Sequence, residues 1–95
     1  MKYNLPERVV KDIAVFAQDH DIQKVILFGS RARGAHTEKS DIDLAVSGGD
    51  IEAFYWDIKE NVHSLLTFDI VDYRGASADL QEEIERDGIT IYEKN

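Results

Sequence analysis

No cysteine occurs among the 95 residues, so disulfide bonds, thiolate catalysis and cysteine-ligated zinc or iron–sulfur sites are excluded. No apolar run is long enough for a signal peptide or a membrane-spanning helix, which predicts a cytoplasmic protein. The only proline, Pro6, lies near the N-terminus, and no repeat or linker-like segment interrupts the chain. We therefore expect a single domain over residues 1–95.

Basic residues are also scarce, since 11 Lys and Arg stand against 19 Asp and Glu and give a net charge of −8. Nucleic-acid binding relies largely on Lys and Arg that displace counterions from phosphates. Direct binding to nucleic acid is therefore disfavoured. Hydrophobic residues still make up 43% of the chain, which is enough to build one core.

Seven segments have the periodicity of regular secondary structure. In chain order they are a helix over 5–19, a strand over 24–28, a strand over 41–47, a helix that Asp50 caps, a strand over 65–73, a helix from Ser77 to Arg86 and a strand from Ile89. The order α-β-β-α-β-α-β predicts a mixed sheet of about four strands flanked by helices, which is an α/β or α+β fold.

Two aspartates, Asp41 and Asp43, occupy the polar positions of the strand over 41–47. Their Cα atoms would lie about 7 Å apart, and two such like charges repel each other unless a cation lies between them. Asp69 lies in a later predicted strand, and we expect its carboxylate to join the same face because neighbouring strands run about 5 Å apart. Three carboxylates without histidine or sulfur favour Mg²⁺ or Mn²⁺, which predicts phosphoryl or nucleotidyl transfer.

A glycine turn follows the first predicted strand. Gly29 allows the backbone to approach a phosphate, Ser30 and nearby amides are candidates to hold the distal phosphates, and Arg31 and Arg33 are able to add charge-assisted hydrogen bonds. Each feature alone also fits a plain turn, solvated arginines and edge-strand charges that block aggregation. Their combination is harder to explain as an ordinary surface, and it favours a site for a nucleotide and a metal ion.

The spacing of these residues resembles the signature of the polymerase-β type nucleotidyltransferase superfamily. That signature appears here as Gly29-Ser30, the ten residues from Arg31 to Ser40, and Asp41-Ile42-Asp43. Together with "FDIVDY" at 68–73, the chain is similar over its full length to minimal nucleotidyltransferases, small antitoxins that pair with a HEPN-domain toxin. The resemblance implies a nucleotidyltransferase fold and membership of a toxin–antitoxin system.

The same resemblance implies a metal-dependent transfer of AMP from ATP to a hydroxyl group of the HEPN partner. Gly29 and Ser30 would then grip the triphosphate, and Asp41 and Asp43 would bind Mg²⁺ or Mn²⁺. Asp69 would be the third carboxylate and the base for the incoming hydroxyl. We expect a hetero-oligomer with the partner, and a homodimer is also compatible with the sequence.

Two other functions stay open at this point: an inactive antitoxin that neutralises its partner by binding alone, and a small-molecule nucleotidyltransferase. Because aromatic side chains often anchor protein interfaces, Phe54, Tyr55 and Trp56 are candidates to contact a partner. Phe54 and Tyr55 fit the core equally well, so Trp56 is the better interface candidate.

Overall fold

The fold is a four-stranded sheet with helices on both faces, as seen in a computed structural model that describes residues 5–34, 41–62 and 67–94. Its elements are helix α1 (Glu7–Asp19), strand β1 (Lys24–Phe28), the short helix α2 (Ser30–Arg33), strand β2 (Ile42–Ser47), helix α3 (Ile51–Asn61), strand β3 (Phe68–Asp72), a 3-10 turn (Tyr73–Gly75), helix α4 (Ala78–Asp87) and strand β4 (Ile89–Glu93). The strands lie in the order β3-β2-β1-β4. Strand β1 pairs antiparallel with β2 and β4, and β2 pairs parallel with β3, which confirms the predicted mixed sheet.

Most differences from the predicted segments lie at their ends. Helix α1 begins at Glu7 because Pro6 is its N-cap, with an extended ψ of 137°. Strand β2 begins at Ile42, so that Asp41 precedes it. Positions 65 and 66 of the third predicted strand lie outside the described residues, and Tyr73 belongs to the 3-10 turn rather than to that strand.

Two predicted helix caps are present as hydrogen bonds. The Asp50 carboxylate accepts a hydrogen bond from the backbone N–H of Ala53 at 3.1 Å, at the start of α3. The Ser77 hydroxyl accepts one from the N–H of Leu80 at 3.2 Å, at the start of α4. Each cap satisfies a backbone donor that the helix itself leaves free.

Helices α1 and α3 pack on one face of the sheet, and α4 packs on the other. The main core contains buried residues of α1, α3 and the strands, among them Val9, Ile13, Ala17, Val25, Leu27, Ile42, Leu44, Val46, Phe54 and Ile58. A smaller cluster of Phe28, Ala45 and Ile84 joins α4 to the opposite face. Because side chains alternate along a strand, Asp43 shares this second face with Ala45.

The loop between α1 and β1 is fixed to two other parts of the fold. His20 Nε2 lies 2.5 Å from Asp57 Oδ2 of α3, and Lys94 forms an ion pair with Asp21. The backbone N–H of Asp50 also donates to the carbonyl of His20 at 2.9 Å. Across the described part of the chain, no helix combines the length and the apolar character that a membrane crossing needs.

Candidate active site

Asp43 and Asp69 lie side by side on the face of the sheet that carries α4. The parallel pairing of β2 and β3 places the two residues at the same level of their strands. Registered residues on neighbouring strands direct their side chains to the same face, with their Cα atoms about 5 Å apart. Asp43 is partly buried and Asp69 is exposed, so the pair lies at the boundary between the fold and the solvent.

The environment of Asp43 disfavours its negative charge. Burial raises the pKa of this carboxyl group, and the charges of Asp69, Asp41 and Glu83 raise it further in that order. The charge of Arg33 lowers the pKa of Asp43, and its effect is the smallest of these four charges. Because three carboxylates and only one cationic side chain act on Asp43, an added cation would stabilise its ionised form.

The turn at Gly29 lies directly against the Asp43 carboxylate. Gly29 has φ 76° and ψ −155°, a backbone conformation essentially confined to glycine. A Cβ atom built on Gly29 would lie 3.2 Å from Cγ of Asp43 and closer still to its Oδ2 atom. The register of β1 with β2 explains this approach, because Phe28, the residue before the turn, pairs with Asp43. Only glycine therefore allows the turn and the carboxylate to lie this close.

The two arginines after the turn have different environments. Helix α2 begins at Ser30, and the N–H of Arg33 donates to the carbonyl of Gly29 at 3.2 Å. Arg31 is 4% exposed, whereas Arg33 is exposed on the side of Asp43. Arg33 is thus the more accessible of the two predicted phosphate ligands, and Arg31 is packed into the fold.

Asp41 is exposed and lies at the entrance to β2, where the N–H of Ile42 donates to the carbonyl of Thr67 at 2.8 Å. This bond brings Asp41 close to the beginning of β3. Within residues 5–34, 41–62 and 67–94, however, no three Asp, Glu or His side chains are arranged as a ready-made metal cluster. The structure brings the predicted carboxylates into one neighbourhood without closing them into a three-ligand set. Positions 35–40 of the motif lie outside the described residues.

The sequence analysis missed Glu83. This residue belongs to α4 and contributes to the electrostatic field at Asp43. Its sequence position gives no sign of that role, because the proximity follows from α4 packing on the same sheet face as Asp43. A long-range contact of this kind cannot be read from local periodicity.

The fold and this cluster define a nucleotidyltransferase-type domain. The family model for polymerase beta nucleotidyltransferases matches residues 11–95, and the chain belongs to that family. The resemblance inferred from the Gly-Ser and Asp-x-Asp spacing is thereby confirmed.

Three known proteins illustrate the similarity. The protein adenylyltransferase MntA of Shewanella oneidensis is 34% identical over 75 residues, which cover 75% of this chain and 54% of MntA. A relative from Methanocaldococcus jannaschii is 56% identical over 34 residues, which cover 36% of this chain and 33% of the relative. A crystal structure of a toxin–antitoxin with AMP-PNP superposes with a TM-score of 0.70 at 25% identity, over 90% of this chain and 74% of that chain. The chain thus matches between a third and about half of the length of the two curated relatives.

Proposed function

We propose that this protein is an adenylyltransferase that moves AMP from ATP to a hydroxyl group of a HEPN-type toxin and so acts as its antitoxin. The observation that carries the proposal is the registration of Asp43 with Asp69 beside the Gly29 turn. The name of the Shewanella relative, a protein adenylyltransferase, and the AMP-PNP in the similar toxin–antitoxin structure support this assignment. The class of toxin comes from the resemblance to minimal nucleotidyltransferases.

The donor set fits a hard divalent cation. Asp43 and Asp69 offer carboxylate oxygens on one face, and Asp41 adds a third near the start of β2. Mg²⁺ commonly binds through one or two carboxylates together with waters and substrate phosphates, so a closed set of three protein ligands is not required. When bound to these carboxylates, Mg²⁺ or Mn²⁺ would neutralise phosphate charge and activate the attacking oxygen.

The Gly29 turn, Ser30 and Arg33 are the candidates to bind the phosphates of ATP. The Gly29 turn lies directly against the Asp43 carboxylate, so its backbone would be close to a phosphate that binds beside that carboxylate, and Ser30 supplies a hydroxyl at the start of α2. Arg33 is exposed on this side, so its guanidinium is able to pair with phosphate oxygens. Arg31 is 4% exposed, so it offers a phosphate less accessible surface than Arg33 does. Asp69, the more exposed of the registered pair, accepts the proton of the incoming hydroxyl.

The test uses ATP labelled at the α-phosphate, Mg²⁺, this protein and its co-expressed partner. We expect label on the partner with the wild type and loss of label with Asp43→Asn and with Asp69→Asn. Asp72→Asn is the matched control, because Asp72 lies on the same strand as Asp69 but on the opposite face. Equal labelling by all four proteins would contradict the proposal. Toxin neutralisation that survives without labelling would instead indicate an antitoxin that acts by binding alone.

A further inference from the structure

Trp56, the only tryptophan of the chain, lies on the outer side of α3 and is 53% exposed. The inner side of α3 buries Phe54 and Ile58 in the main core. That core occupies the face of the sheet opposite to Asp43. The surface around Trp56 is therefore separate from the candidate active site.

Acidic side chains surround Trp56. Glu52 and Glu60 lie four residues before and after it, which places them one turn away on the same side of α3. Asp50, Glu52, Ala53 and Trp56 line an open cleft of about 260 Å³ at the start of the helix. Asp50, Glu52, Trp56 and Glu60 are all exposed, and we call them the acidic-aromatic surface.

The indole ring of Trp56 packs against the ring of its neighbour Tyr55. The ring of Tyr55 meets it edge to face, with centroids 5.2 Å apart and an interplanar angle of 79°. Lys59, the basic residue of α3, lies over Tyr55 instead, 5.2 Å from that ring centroid, and donates a hydrogen bond to Tyr55 Oη at 3.1 Å. The two rings thus pack against each other, and the Lys59 ammonium contacts Tyr55 rather than Trp56.

We propose that the acidic-aromatic surface binds an arginine side chain of a protein partner. A guanidinium group stacks on an indole ring and pairs with carboxylates at the same time, which suits arginine better than lysine. The charge of the protein, −8, opposes a second copy of the chain, a nucleic acid or an anionic membrane at this surface. The proposal does not depend on AMP transfer, because it concerns the other face of the sheet.

The test follows the emission of Trp56 during a titration with a capped peptide that contains two arginines. Because no other tryptophan is present, the signal reports on this surface alone. We expect a saturable change that weakens with added salt and is lost when citrulline, a neutral analogue, replaces arginine. Glu52→Gln combined with Glu60→Gln should raise the Kd about tenfold, since two exposed ion pairs are lost.

Glu82→Gln is the control, because Glu82 is exposed on α4, on the other side of the sheet. It should leave the Kd unchanged, and calorimetry with Trp56→Ala should detect no binding. Three results would overturn the proposal. The citrulline peptide could bind with the same Kd as the arginine peptide, or Glu82→Gln could weaken binding as much as the Glu52→Gln, Glu60→Gln variant does. The third result is the same emission change on adding a single-stranded RNA. An emission change that depends on protein concentration alone would assign the surface to a second copy and would also refute it.

Discussion

Replacing Gly29 by alanine tests the contact between the turn and the Asp43 carboxylate. The backbone of Gly29 costs a non-glycine residue about 1–3 kcal/mol, and the overlap of a new Cβ with Asp43 adds about 1–3 kcal/mol when only partly relieved. We expect Gly29→Ala to reduce the free energy of unfolding by about 2–6 kcal/mol, the sum of these two costs. Because 1 kcal/mol corresponds to roughly 4–8 °C in a domain of this size, even the lower end of this range should lower the melting temperature by roughly 8–16 °C.

Two other glycines provide matched controls for urea unfolding followed by circular dichroism. Gly34 has φ 76° but nothing within 4 Å of a built Cβ, so Gly34→Ala should cost only about 1–2 kcal/mol. Gly75 lacks a positive φ, and its built Cβ lies 3.6 Å from Asp72 Oδ2, so Gly75→Ala should stay within about 0.5 kcal/mol of the wild type. If Gly29→Ala lowers the free energy of unfolding by no more than Gly34→Ala does, the contact between the Gly29 turn and the Asp43 carboxylate is refuted.

A double-mutant cycle separates backbone strain from overlap at Gly29. Asp43→Ala removes the carboxylate that a Cβ at position 29 would meet, while the backbone strain remains. We expect the double variant to lose about 1–2 kcal/mol less free energy of unfolding than the sum of the losses in the two single variants. Simple additivity in urea unfolding would mean that the turn and the carboxylate do not touch.

Three further perturbations follow from the structure. Since burial and neighbouring carboxylates raise the pKa of Asp43 in the folded state, its protonated form supports folding at low pH, and this support is lost as the pH rises through the raised pKa. Without metal ions, Asp43→Asn should therefore be more stable than the wild type at pH 7 by up to about 1 kcal/mol, and thermal melts should show the difference vanishing toward pH 3. His20→Gln should lower the free energy of unfolding by about 0.5–1.5 kcal/mol, since it removes the contact between His20 and Asp57. An unchanged midpoint in urea unfolding would mean that this contact does not stabilise the fold. Ser77→Ala should cost about 1 kcal/mol through the lost cap of α4, and Ser77→Asp, which is able to cap, should restore most of it in the same assay.

Local patterns in the sequence were sufficient to predict most elements of the fold. The apolar run at 24–28 coincides with β1, and the alternation of Ile42, Leu44 and Val46 correctly assigned these residues to the core. Caps at Asp50 and Ser77 were predictable because their hydrogen bonds join residues only three positions apart. Each of these features depends on interactions within one segment.

The details of the site depend on contacts between segments that spacing alone does not reveal. The pairing of Asp43 with Asp69 follows from the parallel register of β2 with β3, which local periodicity does not specify. Arg31 and Arg33 look equivalent in the sequence, yet the short helix α2 buries one and exposes the other. Glu83 reaches the neighbourhood of Asp43 only because α4 packs on that face.

The most direct test of the account is the affinity for Mn²⁺ in the presence of a non-hydrolysable ATP analogue, measured by electron paramagnetic resonance. Asp43→Asn and Asp69→Asn should each weaken Mn²⁺ binding by at least about tenfold, because each removes a charged oxygen donor. Asp72→Asn should bind as the wild type does, since its side chain lies on the other face of β3. Unchanged Mn²⁺ affinity in Asp69→Asn, or the same loss in all three variants, would contradict a shared metal site at Asp43 and Asp69.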